Sequence, residues 1–230
     1  MTDDALSRSA SKTEAQAAID AASDALAHGA ISDADWQRRV TDALAQAYLR
    51  ESDPRWQSGF DGDAALWQEA RALILQAVPN DGSLLDVGCA NGHLLECLAV
   101  WARERGRTLS LYGLELNPEL ANAARVRLPA LADRIFTGNV SDWAPPHRFT
   151  YVRTGLEYVP AGREPQLVTR LLQDAVEDDG RLIIGPVGED ALQATVDAVK
   201  AAGVTEVGVE HATDRDGKTR CIVWAKHAAG

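Results

Sequence analysis

Basic residues are in short supply. The 230-residue chain carries 23 Lys and Arg against 34 Asp and Glu, a net charge of −11. Phosphate backbones are gripped by Lys and Arg, so this balance excludes a general nucleic-acid binder. It also disfavours an anionic membrane surface. Long apolar runs are absent too. A membrane helix needs about 18 consecutive apolar residues; the most apolar stretch, 84–102, is broken by Asp86, Asn91, His93 and Glu96. The N-terminus reads Met1-Thr2-Asp3-Asp4 with no apolar segment behind it, unlike a secretory signal. Cysteines number only three, Cys89, Cys97 and Cys221, with no Cys-x-x-Cys spacing. That fits reduced thiols in a cytoplasmic protein better than a disulfide framework or a zinc site. No His/Asp/Glu cluster has ligand spacing, so no structural metal is expected.

What is present is an ordinary globular composition, 46% apolar and 25% charged. Residues 1–10 are small and polar and are expected to fray. Ser11-Lys12-Thr13-Glu14 reads as a capping box for an Ala-rich helix to about Ala27, with little to bury. A second helix starts near Asp33, capped by Ser32, with Ile31 stapling onto Trp36 and an apolar stripe through Val40, Leu44 and Ala47. Residues 51–62 form a loop bearing Trp56 and Phe60. A third helix is expected over Ala64–Val78.

After residue 82 short β-branched or Leu-rich runs alternate with helical segments. Strands are expected at Leu84–Val87, Leu109–Glu115, Arg134–Thr137, Phe149–Arg153, Arg181–Pro186, Val204–His211 and Thr219–Lys226. Helices fall between them, near Gly92–Arg105, Pro118–Arg127, Glu164–Val176 and Asp190–Ala202. Asp216-Gly217 marks a hairpin between the last two strands. This alternation implies a doubly wound, mainly parallel seven-stranded α/β sheet, Rossmann-like, with an antiparallel last strand. The expected division is an N-terminal helical extension over 1–60 and the sheet domain over 61–230.

The informative segment is Leu84-Leu85-Asp86-Val87-Gly88-Cys89-Ala90-Asn91-Gly92-His93. It is a buried strand, a glycine-bearing turn and a helix start, the place where open α/β sheets bind ligands. Glycine lets a ligand approach the backbone closely. The dinucleotide fingerprint Gly-x-Gly-x-x-Gly is not met, because the middle glycine is missing. The segment instead resembles motif I of the class I S-adenosylmethionine-dependent methyltransferases, and Gly88 and Gly92 also have a packing alternative. Glu115, closing Leu111-Tyr112-Gly113-Leu114-Glu115-Leu116, then stands where the family holds the ribose hydroxyls. Thr137-Gly138-Asn139-Val140-Ser141-Asp142 resembles its adenine-contacting turn, with Asn139 where Asp is commoner and Asp142 as a competitor. Thr150 also stands where Asp is commoner. The resemblance spans residues 60–226.

The resemblance implies S-adenosyl-L-methionine as cofactor, touched by Asp86, Gly88, Ala90, Gly92, Glu115, Leu116, Asn139, Val140 and Arg153. It implies transfer of a methyl group to a small molecule. The Asn/Asp-Pro-Pro-Tyr/Phe signature of amine methylation is missing after the fourth strand, which reads Arg153-Thr154-Gly155-Leu156-Glu157-Tyr158. A hydroxyl oxygen is therefore the expected acceptor. A carboxyl or amine acceptor, or a non-catalytic cofactor-binding partner subunit, stay open. A hydroxyl needs a general base and a carboxylate does not. Glu157 is the first candidate base and His147 the second; Tyr158 walls the methyl pocket or simply packs. Arg153 pairs with a substrate carboxylate or with a neighbouring acid. His93 caps or packs rather than binding metal. Trp56, Phe60 and Trp67 close over the substrate or plug helix to sheet. A homodimer is admitted as the assembly.

Overall fold

The computed structural model describes residues 3–226, divided into two compact units, one up to Asp61 and one from Gly62 on. In the first, α1 (Asp3–Ala27) and α2 (Asp33–Leu49) pair. The expected start at Ser11 is corrected: α1 is already helical from Asp3, because nothing in the small polar residues before Ser11 breaks a helix. Ser32 caps α2 with the full box, accepting from the Asp35 N–H while the Asp35 carboxylate reaches back. Ala22, Trp36 and Val40 form a small core, with Ile31 packed against it. The Trp36 indole donates to Ser23 Oγ at 3.0 Å.

The second unit holds a seven-stranded sheet in the order β3-β2-β1-β4-β5-β7-β6. Its strands are β1 (Gly82–Val87), β2 (Leu109–Glu115), β3 (Ile135–Thr137), β4 (Phe149–Thr154), β5 (Val176–Gly188), β6 (Glu206–Thr213) and β7 (Thr219–Lys226). The first five are parallel; β7 runs antiparallel between β5 and β6. The helices are α3 (Ala64–Arg71), α4 (His93–Glu104), α5 (Pro118–Arg127), α6 (Glu164–Asp174) and α7 (Glu189–Ala201). The central strands are buried, as both-face coverage of a parallel sheet requires: Leu84, Leu85, Val152, Leu182, Ile183 and Ile184 are sealed from solvent.

Two further expectations are corrected. The third helix ends at Arg71, and residues 72–76 tighten into a 3₁₀ turn that turns the chain towards β1. Strand β5 starts at Val176, because Phe149 pairs with it before a register shift, a ladder effect that polar Glu-Asp-Asp-Gly conceals. No helix among the described residues is long and apolar enough to cross a membrane.

Candidate active site

Strand order reverses between β1 and β4, and the residues of interest gather at the carboxyl ends of those strands. The turn after β1 hangs on the end of β2. Gly88 and Cys89 donate to the Leu114 carbonyl at 2.8 and 3.1 Å, and Ala90 donates to Glu115 Oε2 at 2.9 Å. These three N–H groups are committed to the end of β2. Gly88 takes φ +74°, and a Cβ there would lie 2.3 Å from the Tyr158 hydroxyl. Gly92 takes φ +78°, but its missing Cβ faces Leu128 and Ala124, so packing against the end of α5 accounts for it.

Glu115 is 8% exposed. Its Oε1 accepts from the Asn117 N–H and its Oε2 from Ala90, each at 2.9 Å. An ionised carboxylate has about four acceptor sites, so roughly one per oxygen is left for a ligand. Burial raises its pKa, and the backbone donors at Asn117 and Ala90 pull it part of the way back. Leu116 follows, half-buried. The Glu115 carbonyl accepts from Gly138, so the turn after β3 is tied to the same strand end.

Asp86 is fully buried. Arg153 donates to its Oδ1 at 3.0 Å and to the Gly185 carbonyl at 2.8 Å, stitching β1, β4 and β5. Of the two readings of Arg153, pairing with a neighbouring acid is the one the geometry shows. Asp86 Oδ2 is buried without a donor. Desolvation raises the Asp86 pKa, with Arg153 opposing. Tyr158, half-buried, has its phenol pushed far up by burial, then by the charge of Glu157. At neutral pH it is a neutral hydroxyl. Glu157 is exposed, with its carboxylate lying against Gly155.

The adenine-turn candidates are split. Asn139 Oδ1 accepts from Ser141 N–H at 2.9 Å, a local turn bond, and Asp142 is exposed. Val140 turns its side chain into the core and its carbonyl accepts from Arg170. Thr150 is bound to Ser83 across β1 and β4.

Other candidates are placed elsewhere. His147 precedes β4, at the amino end of a six-residue strand. At about 3.3 Å per residue, that strand length is roughly 20 Å. Its ring lies against Tyr112 and Phe149, so it is no base for this site. Trp67 is buried at 3%, stacked on His93 and donating to Cys97 Sγ at 3.3 Å. It plugs α3 onto α4 rather than facing a substrate. Trp56 and Phe60 belong to the first unit, where Phe60 is buried and Tyr48 packs on Gly59. No group of His, Cys, Asp or Glu among the described residues has metal-binding geometry. Sequence reasoning passed over the burial of Arg71, whose pKa is pushed down to about 10 by desolvation first and by Arg153 second.

No protein-family model matches the chain, and no curated protein matches its sequence. Solved structures do match. One is Burkholderia thailandensis 1,6-didemethyltoxoflavin-N1-methyltransferase with bound 1,6-didemethyltoxoflavin and S-adenosylhomocysteine. It matches at TM-score 0.60 and 17% identity, over 86% of this chain and 92% of that one. This chain has the methyltransferase fold. The [4+2]-cyclase SpnF shares it at TM-score 0.58 and 15% identity, over 84% and 97% of the two chains. Haemonchus contortus phosphoethanolamine N-methyltransferase 2 matches at 0.56 and 14% identity, over 86% of this chain and 61% of that longer one.

Proposed function

We propose that the chain is an S-adenosylmethionine-dependent methyltransferase of a small molecule, with an oxygen as acceptor atom. The observation that carries the cofactor is Glu115: a buried carboxylate, preset by two backbone donors, with acceptor capacity left on both oxygens. Two ribose hydroxyls fit that capacity. The orphaned Asp86 Oδ2 is a second fit, a buried acceptor suited to the ammonium of the methionine tail. The cofactor, when bound, supplies a methyl group already activated on a sulfonium. The chain's work is then positioning. The missing Cβ of Gly88 makes room for the Tyr158 ring, which sets its neutral hydroxyl against the turn after β1. Glu157, exposed at the mouth, is the group that would take a proton from a hydroxyl acceptor. The oxygen assignment rests on the missing amine signature after β4.

A second reading is a non-catalytic S-adenosylmethionine-binding partner subunit; a [4+2]-cyclase, SpnF, shares the fold. The test is thermal unfolding with S-adenosylhomocysteine and, separately, with NAD. A ligand at a hundred times its Kd adds about 2.7 kcal/mol. For this size that raises the midpoint by roughly 5–11 °C. The rise is expected with S-adenosylhomocysteine alone, and Glu115→Ala is expected to weaken its binding by about 1.5–3 kcal/mol. A rise with NAD instead would overturn the reading. Binding without turnover across an acceptor panel would favour the non-methylating one.

A further inference from the structure

Parallel strands are joined by crossovers, usually helical ones. One crossover of this sheet has no helix. Between the end of β3 at Thr137 and the start of β4 at Phe149 the chain runs through 138–148 without helix or strand. Its position is set by its anchors instead.

Three of them tie it to the sheet. The Gly138 N–H donates to the Glu115 carbonyl at 3.0 Å. Val140 is buried in the core, and Trp143 packs on Phe136 with ring centroids 5.2 Å apart. The fourth anchor comes from α6. Arg170 donates from Nε to the Val140 carbonyl at 3.2 Å and from a terminal nitrogen to the Trp143 carbonyl at 2.9 Å. Two arms of one guanidinium thus hold one turn, 30 and 27 residues away in sequence. Helix α6 is itself fixed, since Leu167, Val168, Leu171 and Leu172 are buried in the same core as the strands. Asp174 Oδ2 faces the remaining nitrogen at 3.9 Å.

The fork reaches further than the carbonyls it touches. The Val140 carbonyl and the Ser141 N–H belong to one planar trans peptide and point opposite ways. Holding the carbonyl towards Arg170 turns the N–H away from it, where it donates to Asn139 Oδ1 at 2.9 Å. The Asn139 carbonyl accepts from the Asp142 and Trp143 N–H groups at 3.1 and 2.7 Å. Arg170 is therefore coupled to the side-chain amide of Asn139 through one peptide plane.

Strand order decides what this turn faces. Asp86 is on β1, Glu115 is on β2 and the turn follows β3, and these strands are neighbours in that order. In S-adenosylmethionine the ribose lies between the sulfonium tail and the base. A tail on Asp86 and a ribose on Glu115 leave the base on the β3 side, one strand spacing of about 4.8 Å further on. Glu115 pairs in register with Thr137, so the turn begins beside the ribose carboxylate.

We propose that Arg170 is a positioning residue for the adenine: its fork sets the turn 139–143 against which the base lies. This rests on the S-adenosylmethionine reading of the site. A lysine at this position would keep the charge near Asp174 but has no rigid fork to bridge two carbonyls. The test is calorimetric titration of the full chain, and of Arg170→Ala and Arg170→Lys, with three probes. S-Adenosylhomocysteine carries base, ribose and tail; 5′-methylthioadenosine carries base and ribose; S-ribosylhomocysteine carries ribose and tail. Both variants are expected to bind the two base-bearing probes about tenfold more weakly, with S-ribosylhomocysteine affinity unchanged. Arg170→Lys retains the stem and the charge, and thereby the fold, which thermal unfolding of the unliganded variant checks. Unchanged affinity for S-adenosylhomocysteine in both variants would overturn the proposal. So would an equal loss for all three probes, the mark of a merely structural role. So would an unaltered chain that binds S-adenosylhomocysteine no more tightly than S-ribosylhomocysteine, since the base would then touch nothing. Failure of the unaltered chain to bind S-adenosylhomocysteine would strike the S-adenosylmethionine reading instead.

Discussion

Ala90 takes φ +46° in the middle of the turn after β1, a left-handed backbone in a residue that carries a Cβ. That conformation costs an L-residue about 1–2 kcal/mol. Glycine would avoid the cost and lose about 0.5–1 kcal/mol to its freer unfolded chain. Ala90→Gly is therefore expected to raise the unfolding midpoint by about 1–4 °C. A lower midpoint would mean that the methyl group packs more than it strains. Glu115 gives a pH prediction. Burial raises its folded pKa above the unfolded value. A carboxylate shifted that way stabilises the fold fully below the unfolded pKa and loses that contribution as pH rises through the folded one. Asp86 is shifted in the same direction. Ligand hydroxyls favour the ionised form, so the midpoint rise given by S-adenosylhomocysteine is expected to be larger at pH 7.5 than at pH 5. In Glu115→Gln that difference is expected to shrink. An equal rise at both pH values would remove Glu115 from the ribose.

At the scale of elements, the legible parts were those with local punctuation. Asn117-Pro118 caps and opens α5, Ser32 caps α2, and Asp216-Gly217 turns the last hairpin, with Gly217 at φ +76°. β2, α5 and β7 fall where period and caps put them. The strand that was misread is one where pairing partners decide. The polar start of β5 is a strand because Val176 has Phe149 beside it. The site followed the same rule. Gly88 and Glu115 announce themselves in sequence, whereas Arg153's commitment to Asp86 depends on a register between β1 and β4 that no local pattern carries. His147 was misread for a related reason: a titratable residue near a strand says nothing of which end of the strand faces the ligand. Trp67 offers the element-scale test, since α3 docks on α4 through its ring, His93 and Cys97. Trp67→Ala is expected to cost about 3–5 kcal/mol in a chemical denaturation series. Affinity for S-adenosylhomocysteine in the folded fraction should be unchanged. A small stability loss with weakened ligand binding would restore Trp67 to the substrate side.

For the whole molecule the deciding quantity is the net charge of −11. Self-repulsion of that charge opposes the compact state. Exposed ion pairs such as Arg148–Asp178 at 2.7 Å and Lys226–Glu206 at 3.2 Å oppose it locally. Pairs of this kind are worth about 0–1 kcal/mol each. Salt screens both terms, with the Debye length falling from about 10 Å at 0.1 M to about 3 Å at 1 M. The repulsion is summed over long distances and is screened first; the pairs are short and keep more of their attraction. Sodium chloride between 0.1 and 0.5 M is therefore expected to raise the unfolding midpoint. A fall would show that the ion pairs outweigh the repulsion, and that the acidic surface is a connected network rather than a solvating excess.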